Sequence, residues 1–471
     1  MVRGRTDPRF LALVVASAQF MAALDSAVIA IAIPHMAHDF MVGPVDLSIG
    51  ITAYLLVQAA LLPSCSWVAD RFGARTVFVL AIIGFIVSSM LCGLSQSLPQ
   101  FVIARILQGA SGAMMTPVGR IVVFQATEKK DLVSIVTIST VPMLLGPTLG
   151  PPLGGLIVSY STWPWIFFLN VPIGVASVIL SLRYIPNLMP QQKRPFDLIG
   201  FILSGGAIVG LLWGLHEMGL GVTHWGMAAA IFLAGLGAVI VAAKYLRRYP
   251  TPILSLEALR FPNFSRTRIG GPLAMMPFWS LNFILPLMFQ SALGLSPFVT
   301  GILLLAMSGG DIVVKLMTRQ LLRRWGFRDV ILYSTIVYAV TVAACVFFTS
   351  ATPLWLIFAI LAVNGMTRSA SFSAIVSFSF TDVPQEEMSG ASVLNSIILQ
   401  VCGAASISVG AIMLNASSAF SPVAKALTMS DYRVALWGSA LICIASIPSF
   451  LKIGPTAGAA VSGHLHSAAI E

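Results

Sequence analysis

The feature that most restricts what this chain can fold into is the length of its uncharged apolar runs. Blocks of about 20 apolar residues follow one another from Phe10 to Leu451, and a helix of that length crosses about 30 Å of hydrocarbon. In lipid every backbone amide needs a protein partner, which leaves helices or a closed barrel. A barrel needs alternating strands of about ten residues, and these blocks do not alternate. Composition agrees: of 471 residues, 57% are hydrophobic and 9% charged, against about 25% charged in a soluble domain. The sequence therefore predicts an all-α membrane protein with about 14 transmembrane helices. They fall near 10–34, 46–68, 75–96, 99–123, 133–158, 164–185, 196–216, 224–244, 268–292, 297–318, 328–350, 353–377, 389–414 and 431–451.

The formal charge is +10. In a soluble protein that would suggest nucleic acid; here the basic residues lie between apolar blocks and speak of orientation instead. One set of loops carries Arg3, Arg5, Arg9, Arg71, Arg75, Lys129, Lys130, Lys193, Arg194, Arg247, Arg248, Arg260, Arg319, Arg323, Arg324 and Arg328. The alternate loops carry little beyond Lys425 and Arg433. The basic side is expected to be cytoplasmic, and an even number of spans then puts both termini there. The acidic stretch at Asp382, Glu386 and Glu387 runs against the trend, but acids weigh little in this rule. The first block is too long for a cleavable signal, contains Asp25 and lacks a small-x-small cleavage pattern. Cys65, Cys92, Cys345, Cys402 and Cys443 lie in or at the edges of apolar blocks without metal or disulfide spacing, and read as small hydrophobic residues.

A weak internal repeat organises the chain. Asp70-Arg71-Phe72-Gly73-Ala74-Arg75 and Arg323-Arg324-Trp325-Gly326-Phe327-Arg328 share the pattern Arg-aromatic-Gly-x-Arg. Each follows the second span of a six-span set. The expected domains are therefore a six-helix bundle over 1–190, two inserted helices with a linker over 191–260, a second six-helix bundle over 261–455 and a short flexible cytoplasmic tail over 456–471. Paired repeats of this kind build transporters that alternate access around a central site.

Several motifs resemble those of one family. Leu24-Asp25-Ser26-Ala27-Val28-Ile29-Ala30-Ile31-Ala32-Ile33-Pro34 resembles an acidic first-span motif, and Asp70-Arg71-Phe72-Gly73-Ala74-Arg75 a loop 2–3 motif that usually opens with Gly where this chain has Ser66. Arg105-Ile106-Leu107-Gln108-Gly109 resembles a fourth-span motif, and Gly146-Pro147-Thr148-Leu149-Gly150-Pro151-Pro152-Leu153-Gly154-Gly155 the fifth-span antiporter motif. Trp163-Pro164-Trp165-Ile166-Phe167-Phe168-Leu169-Asn170-Val171-Pro172-Ile173-Gly174 resembles a signature in which Arg is usual at the place of Pro164; Tyr54 matches a span 2 position and Ile49 replaces its usual Trp. Together they resemble the fourteen-span drug/proton antiporters of the major facilitator superfamily, the EmrB/QacA type. The resemblance implies the major facilitator fold with two inserted helices, and a role for the Arg105 position in proton transfer.

The residues also speak for themselves. Asp25 and Arg105 are charges at membrane depth, which are expensive and usually functional. At 1.5 Å per residue Asp25 lies about 22 Å into a rising span and Arg105 about 9 Å into a descending one. In a core of about 30 Å the two share one level and can meet. They form either a static ion pair between spans 1 and 4 or a carboxylate whose protonation is coupled to transport. Burial favours the neutral acid and a guanidinium the ionised one, so a movable Arg105 could switch Asp25 between holding and releasing a proton.

Gly146, Gly150 and Gly154 share one helix face, where another helix can approach closely, and Pro147 and Pro151 remove backbone bonds. That face reads either as packing or as a stiff seam between the two bundles. Asp70, Arg71, Gly73 and Arg75 form either a solvated turn or a cytoplasmic latch. Asp311 and Lys315, four apart on span 10, are expected to form a neutralising pair. Arg368 is mid-span and either faces the cavity, where it could bind anionic groups, or pairs with Asp311. Arg120 reads as interfacial, His35 and His38 as an outer loop, and His464 and His466 as tail; none has metal spacing. Met275 and Met276 with Phe278 and Trp279 either line an apolar cavity or pack.

The expected function is proton-coupled secondary export of drugs or other amphipathic or cationic small molecules across the bacterial inner membrane. The alternatives are proton-coupled transport of a specific metabolite or siderophore, uncoupled uniport, and, from another class, a membrane enzyme or receptor. No catalytic nucleophile set, metal cluster or Walker loop is present in the sequence. Neither a cofactor nor a nucleic-acid partner is expected; protons and the lipid bilayer are, for a monomer with accessory export partners left open. Polyspecific cavities are mostly apolar shape, so no residue pattern names the substrate.

Overall fold

The computed structural model describes residues 8–126, 132–186, 195–219, 225–384, 387–418 and 427–459. The expectations for Lys129, Lys130, Lys193, Arg194, Lys425, His464 and His466 fall outside them, as does most of the expected tail. Among the described residues the secondary structure is helical, without a strand. The helices are α1 (Pro8–Asp39), α2 (Ser48–Leu61), α3 (Cys65–Phe72), α4 (Ala74–Gly93), α5 (Leu98–Ala126), α6 (Leu132–Tyr160), α7 (Trp165–Phe168), α8 (Asn170–Tyr184), α9 (Leu198–Gly219) and α10 (Trp225–Arg248). They continue with α11 (Pro262–Leu287), α12 (Pro297–Ala344), α13 (Leu354–Ser379), α14 (Met388–Ser418), α15 (Met429–Ala445) and α16 (Ile447–Leu451). A helix, or two in succession, covers each stretch the apolar runs marked out. Ten of these helical stretches are long and apolar enough to cross a membrane.

The chain divides into two compact units. One contains Met1–Leu211, Leu233–Tyr245 and Tyr249–Ile253; the other contains Leu212–Phe232, Leu246–Arg248 and Leu254–Glu471. The helices α9 and α10 contribute residues to both.

Within the first unit α1 packs on α5, α6 and α8, and α4 packs on α5 and α8. Within the second, α11 packs on α13, α14 and α15, and α12 packs on α13 and α15. The same pairing scheme thus recurs, and so does the turn of the sequence repeat. Gly73 joins α3 to α4 at φ +86°, ψ 129°, and Gly326 breaks α12 into two helices at φ +72°, ψ 174°. A side chain at positive φ costs free energy that glycine avoids, which is why both copies of the loop carry it.

The glycine face of α6 meets α1. A Cβ on Gly146 would stand 2.7 Å from the Ala23 Cβ, one on Gly150 2.5 Å from the Ala27 Cβ, and one on Gly154 3.1 Å from Val28 Cγ1. This is packing inside the first unit, one of the two readings of that face: Ala23, Ala27 and Val28 offer the partner surface for close helix approach. The outer-loop reading of His35 and His38 is corrected. The helix α1 continues through Pro34 to Asp39 and carries both.

Candidate functional site

The first unit encloses one polar cluster, assembled from five helices. Asp25 comes from α1, Tyr54 from α2, Ser89 and Cys92 from α4, Arg105 and Gln108 from α5, and Asn170 from the start of α8; all are buried. Arg105 and Gln108 lie three apart and share one face of α5. Gly109 beside them has no side chain to hold α2 off: a Cβ there would come within 2.5 Å of the Tyr54 carbonyl oxygen. That close approach lays the Arg105 guanidinium 4.2 Å above the Tyr54 ring, a cation–π contact.

Asp25 and Arg105 do meet. Arg105 Nη1 donates to Asp25 Oδ2 at 2.8 Å and also to Gln108 Oε1 at 2.5 Å. Gln108 Nε2 donates to Asp25 Oδ1 at 3.0 Å and to Ser89 Oγ at 2.8 Å. Asn170 Nδ2 donates to Asp25 Oδ1 at 2.7 Å and to Ser89 Oγ at 3.3 Å. The Cys92 thiol lies 3.7 Å from Gln108 Oε1. The carboxylate therefore accepts a hydrogen bond from each of three side chains, Arg105, Gln108 and Asn170. Two buried polar atoms of the cluster, Arg105 Nε and Asn170 Oδ1, have no hydrogen-bond partner among the described residues. Buried polar groups are rarely left so, and the orphaned Asn170 Oδ1 is an acceptor within the same side chain that now donates to Asp25.

Sequence reasoning found Asp25 and Arg105 by depth but gave no role to Gln108, Asn170 or Ser89. The available signal was Gln108, an amide three residues from an intramembrane arginine and on its face.

The signature around Trp163 closes one end of this bundle. Trp163 Nε1 donates to Asp39 Oδ2 at 2.8 Å, and its ring packs edge-on against Phe40 at 5.5 Å. In the loop motif, Arg75 Nη2 donates to the Leu182 carbonyl near the end of α8 at 2.5 Å, a cation at a helix C-terminus. Neither Asp70 nor Arg71 forms an ion pair among the described residues.

In the second unit the expected pair Asp311–Lys315 is corrected. Asp311 on α12 instead binds Arg368 on α13 through both nitrogens of one guanidinium edge: Nε donates to Oδ1 at 3.3 Å and Nη2 donates to Oδ2. Ser369 Oγ adds a bond to the Asp311 carbonyl at 3.0 Å. The planar fork of arginine matches a carboxylate as an ammonium cannot. Two glycines bring the helices into range: a Cβ on Gly310 would stand 2.9 Å from the Met366 nitrogen, and one on Gly365 2.7 Å from the Met307 carbonyl carbon. Lys315, half-buried one turn along α12, makes no ion pair among the described residues. So α5 and α13, which correspond in the repeat, each bring an arginine to an acid of a neighbouring helix.

A model of the Major Facilitator Superfamily matches residues 15–406 and 267–465. The chain is 31% identical over 404 residues to a protein of Salmonella typhimurium named "Putative multidrug resistance protein MdtD", covering 85% of each chain. It is 33% identical over 406 residues to the protein of the same name from Cronobacter sakazakii, covering 86% of this chain and 85% of that one. Among solved structures, a bacterial homologue of the human lysosomal transporter Spinster superposes with a TM-score of 0.62 at 14% identity, covering 95% of this chain and 97% of the other. The nucleoside transporter NupG superposes with a TM-score of 0.61 at 12% identity, covering 94% and 99%.

Proposed function

The chain belongs to the Major Facilitator Superfamily, and from that premise we propose that it is a proton-coupled exporter of drugs or other amphipathic small molecules, with Asp25 as its coupling carboxylate. It is a multi-pass membrane transporter and not an enzyme. The finer reading has fourteen membrane crossings in two six-helix bundles with α9 and α10 inserted, both termini in the cytoplasm, a location in the bacterial inner membrane and the proton gradient in place of any cofactor.

The observation that carries the coupling role is the sealed contact of Asp25 with Arg105, Gln108 and Asn170 inside a membrane-spanning bundle. A proton on Asp25 would need a hydrogen-bond acceptor, and none of its present partners is one. Turning the Asn170 amide would present the orphaned Oδ1 to that proton. Arg105 would lose its carboxylate yet keep Gln108 Oε1 and the Tyr54 ring. Protonation thus exchanges one set of hydrogen bonds at Asp25 for another, and a conformational change biased by that exchange couples protons to cargo. The driving force is adequate, since one charge moved through 100 mV yields about 2.3 kcal/mol.

A compound found by screening export in a strain stripped of its own exporters would serve as substrate. Purified wild-type protein in weak buffer should release protons when that compound is added; Asp25→Asn should fold, bind the compound and release none. Equal release from both removes Asp25 from the mechanism.

The completeness of the burial supports a second reading, a static ion pair. The variant Asp25→Asn with Arg105→Gln separates the two. A static pair predicts that this neutral double variant regains transport as well as stability, whereas a coupling pair predicts stability without proton release.

A further inference from the structure

Two arginines on packed helices face a carboxylate: Arg105 holds Asp25, and Arg368 holds Asp311. Arg268, half-buried in the second turn of α11, has none among the described residues. Its guanidinium is held only by neutral oxygens. Nε donates to the Phe264 carbonyl at 2.9 Å, Nη1 to Asn395 Oδ1 at 2.9 Å, and Nη2 to Thr267 Oγ1 at 3.0 Å. Its Cζ stands 4.1 Å over the Phe264 ring. Those contacts orient the cation without neutralising it. One N–H on each Nη remains to be used, and Asn395, which accepts with its oxygen, keeps its Nδ2 as a further donor.

These donors sit at the edge of a shallow cleft between α11, α13 and α14 that encloses about 10 Å³, room for about one water, and opens outward. Beyond Arg268, Thr267 and Asn395 its wall is mainly apolar, with Met275, Ile375 and Leu399 among the lining residues. Thr267 and Asn395 are themselves buried, so the polar end is built into the packing. A planar guanidinium with free N–H groups matches a carboxylate or phosphate and repels a cation.

We propose that Arg268 and Asn395 bind the anionic head, a phosphate or carboxylate, of an amphiphile whose apolar body lies at the open mouth of the cleft along the half-buried Ile398 and Leu399. The head could belong to cargo or to a membrane phospholipid; the chemistry is shared. As a cargo site it deepens the export reading and rests on it; as a binding site it does not.

The test is equilibrium binding of decyl phosphate to the full-length protein in a neutral detergent, followed by thermal stabilisation, with decyltrimethylammonium as the cationic counterpart. Wild type should bind decyl phosphate saturably. Arg268→Gln should weaken it about tenfold or more, the factor that about 1.4 kcal/mol of lost charge-assisted hydrogen bonding gives, and Arg268→Lys should keep part of it. Asn395→Asp guards against a misfolded Arg268 variant. It sets a carboxylate where the amide oxygen now stands, 2.9 Å from Nη1, so it should raise the unfolding temperature while weakening decyl phosphate by a similar factor. None of these changes should weaken decyltrimethylammonium. Repeating the titration in nanodiscs of phosphatidylcholine, with and without phosphatidylglycerol, assigns the source: competition by phosphatidylglycerol marks a lipid site, and indifference to it marks a cargo site. Absence of saturable binding to wild type, or unchanged binding to both Arg268→Gln and Asn395→Asp, overturns the proposal. Because the readout is binding, a failure of proton coupling at Asp25 leaves this result standing.

Discussion

Replacing Gly150 with alanine should disturb the proton site without touching it. The added Cβ would stand 2.5 Å from the Ala27 Cβ, and ordinary contact begins at 3.4 Å, so α1 and α6 must part there by about 0.9 Å. Ala27 lies two residues from Asp25 on the same helix. If the shift carries to Asp25, its 2.8 Å bond from Arg105 lengthens to about 3.7 Å, beyond hydrogen-bonding range. Overpacking of this size costs about 1–3 kcal/mol, against about 1 kcal/mol gained in helix propensity. The expected result is a protein that folds, unfolds at a slightly lower temperature and releases clearly fewer protons on substrate addition. Gly206→Ala is the control: nothing lies within 4 Å of its added Cβ, so the variant should match wild type or be slightly more stable. Combining Ala27→Gly with Gly150→Ala leaves no contact nearer than 3.3 Å at this site and should restore both readouts. Thermal unfolding in detergent and proton release in weak buffer measure them. The reasoning fails if Gly150→Ala behaves as Gly206→Ala does, or if Ala27→Gly brings no recovery.

Two further outcomes are expected. Asp311→Asn and Arg368→Gln should each lower the amount of folded protein, by about 1–3 kcal/mol in stability given the part-exposed pair, and the double variant should recover much of it. Lys315→Gln should change little, and a loss equal to that of Arg368→Gln would return the pairing to Lys315. Reporter fusions after residues 71, 194 and 324 and at the C-terminus should read as cytoplasmic, and fusions within 415–430 as external; an external C-terminus would refute the fourteen-crossing count.

The helices of this fold follow from the order of residues alone, because lipid forces the decision one segment at a time. A run of about 20 apolar residues must satisfy its own backbone, so each expected stretch became helix wherever its neighbours lay. The paired loops were legible for a similar reason: Gly73 and Gly326 meet a backbone demand that few other residues meet. Asp25 and Arg105 were also within reach, since depth along a helix is counted from the sequence at a fixed rise.

Tertiary structure decided which faces meet. The four-residue spacing on α6 announced a close contact, but only the packed bundle turned it toward Ala23 and Ala27. The i,i+4 rule favoured Lys315 for Asp311 because it considers one helix alone. The contact of Gly310 and Gly365 with the opposite backbones brought a better-shaped partner from α13. Gln108 and Asn170 stood within motifs but without a role, and Ser89 and Arg268 carried no signal of their own. Periodicity fixes the direction of a side chain about its own helix axis, while the rotation of one helix against another follows from all their packed surfaces together. That rotation set three donors around one carboxylate and left Arg268 without a carboxylate among the described residues.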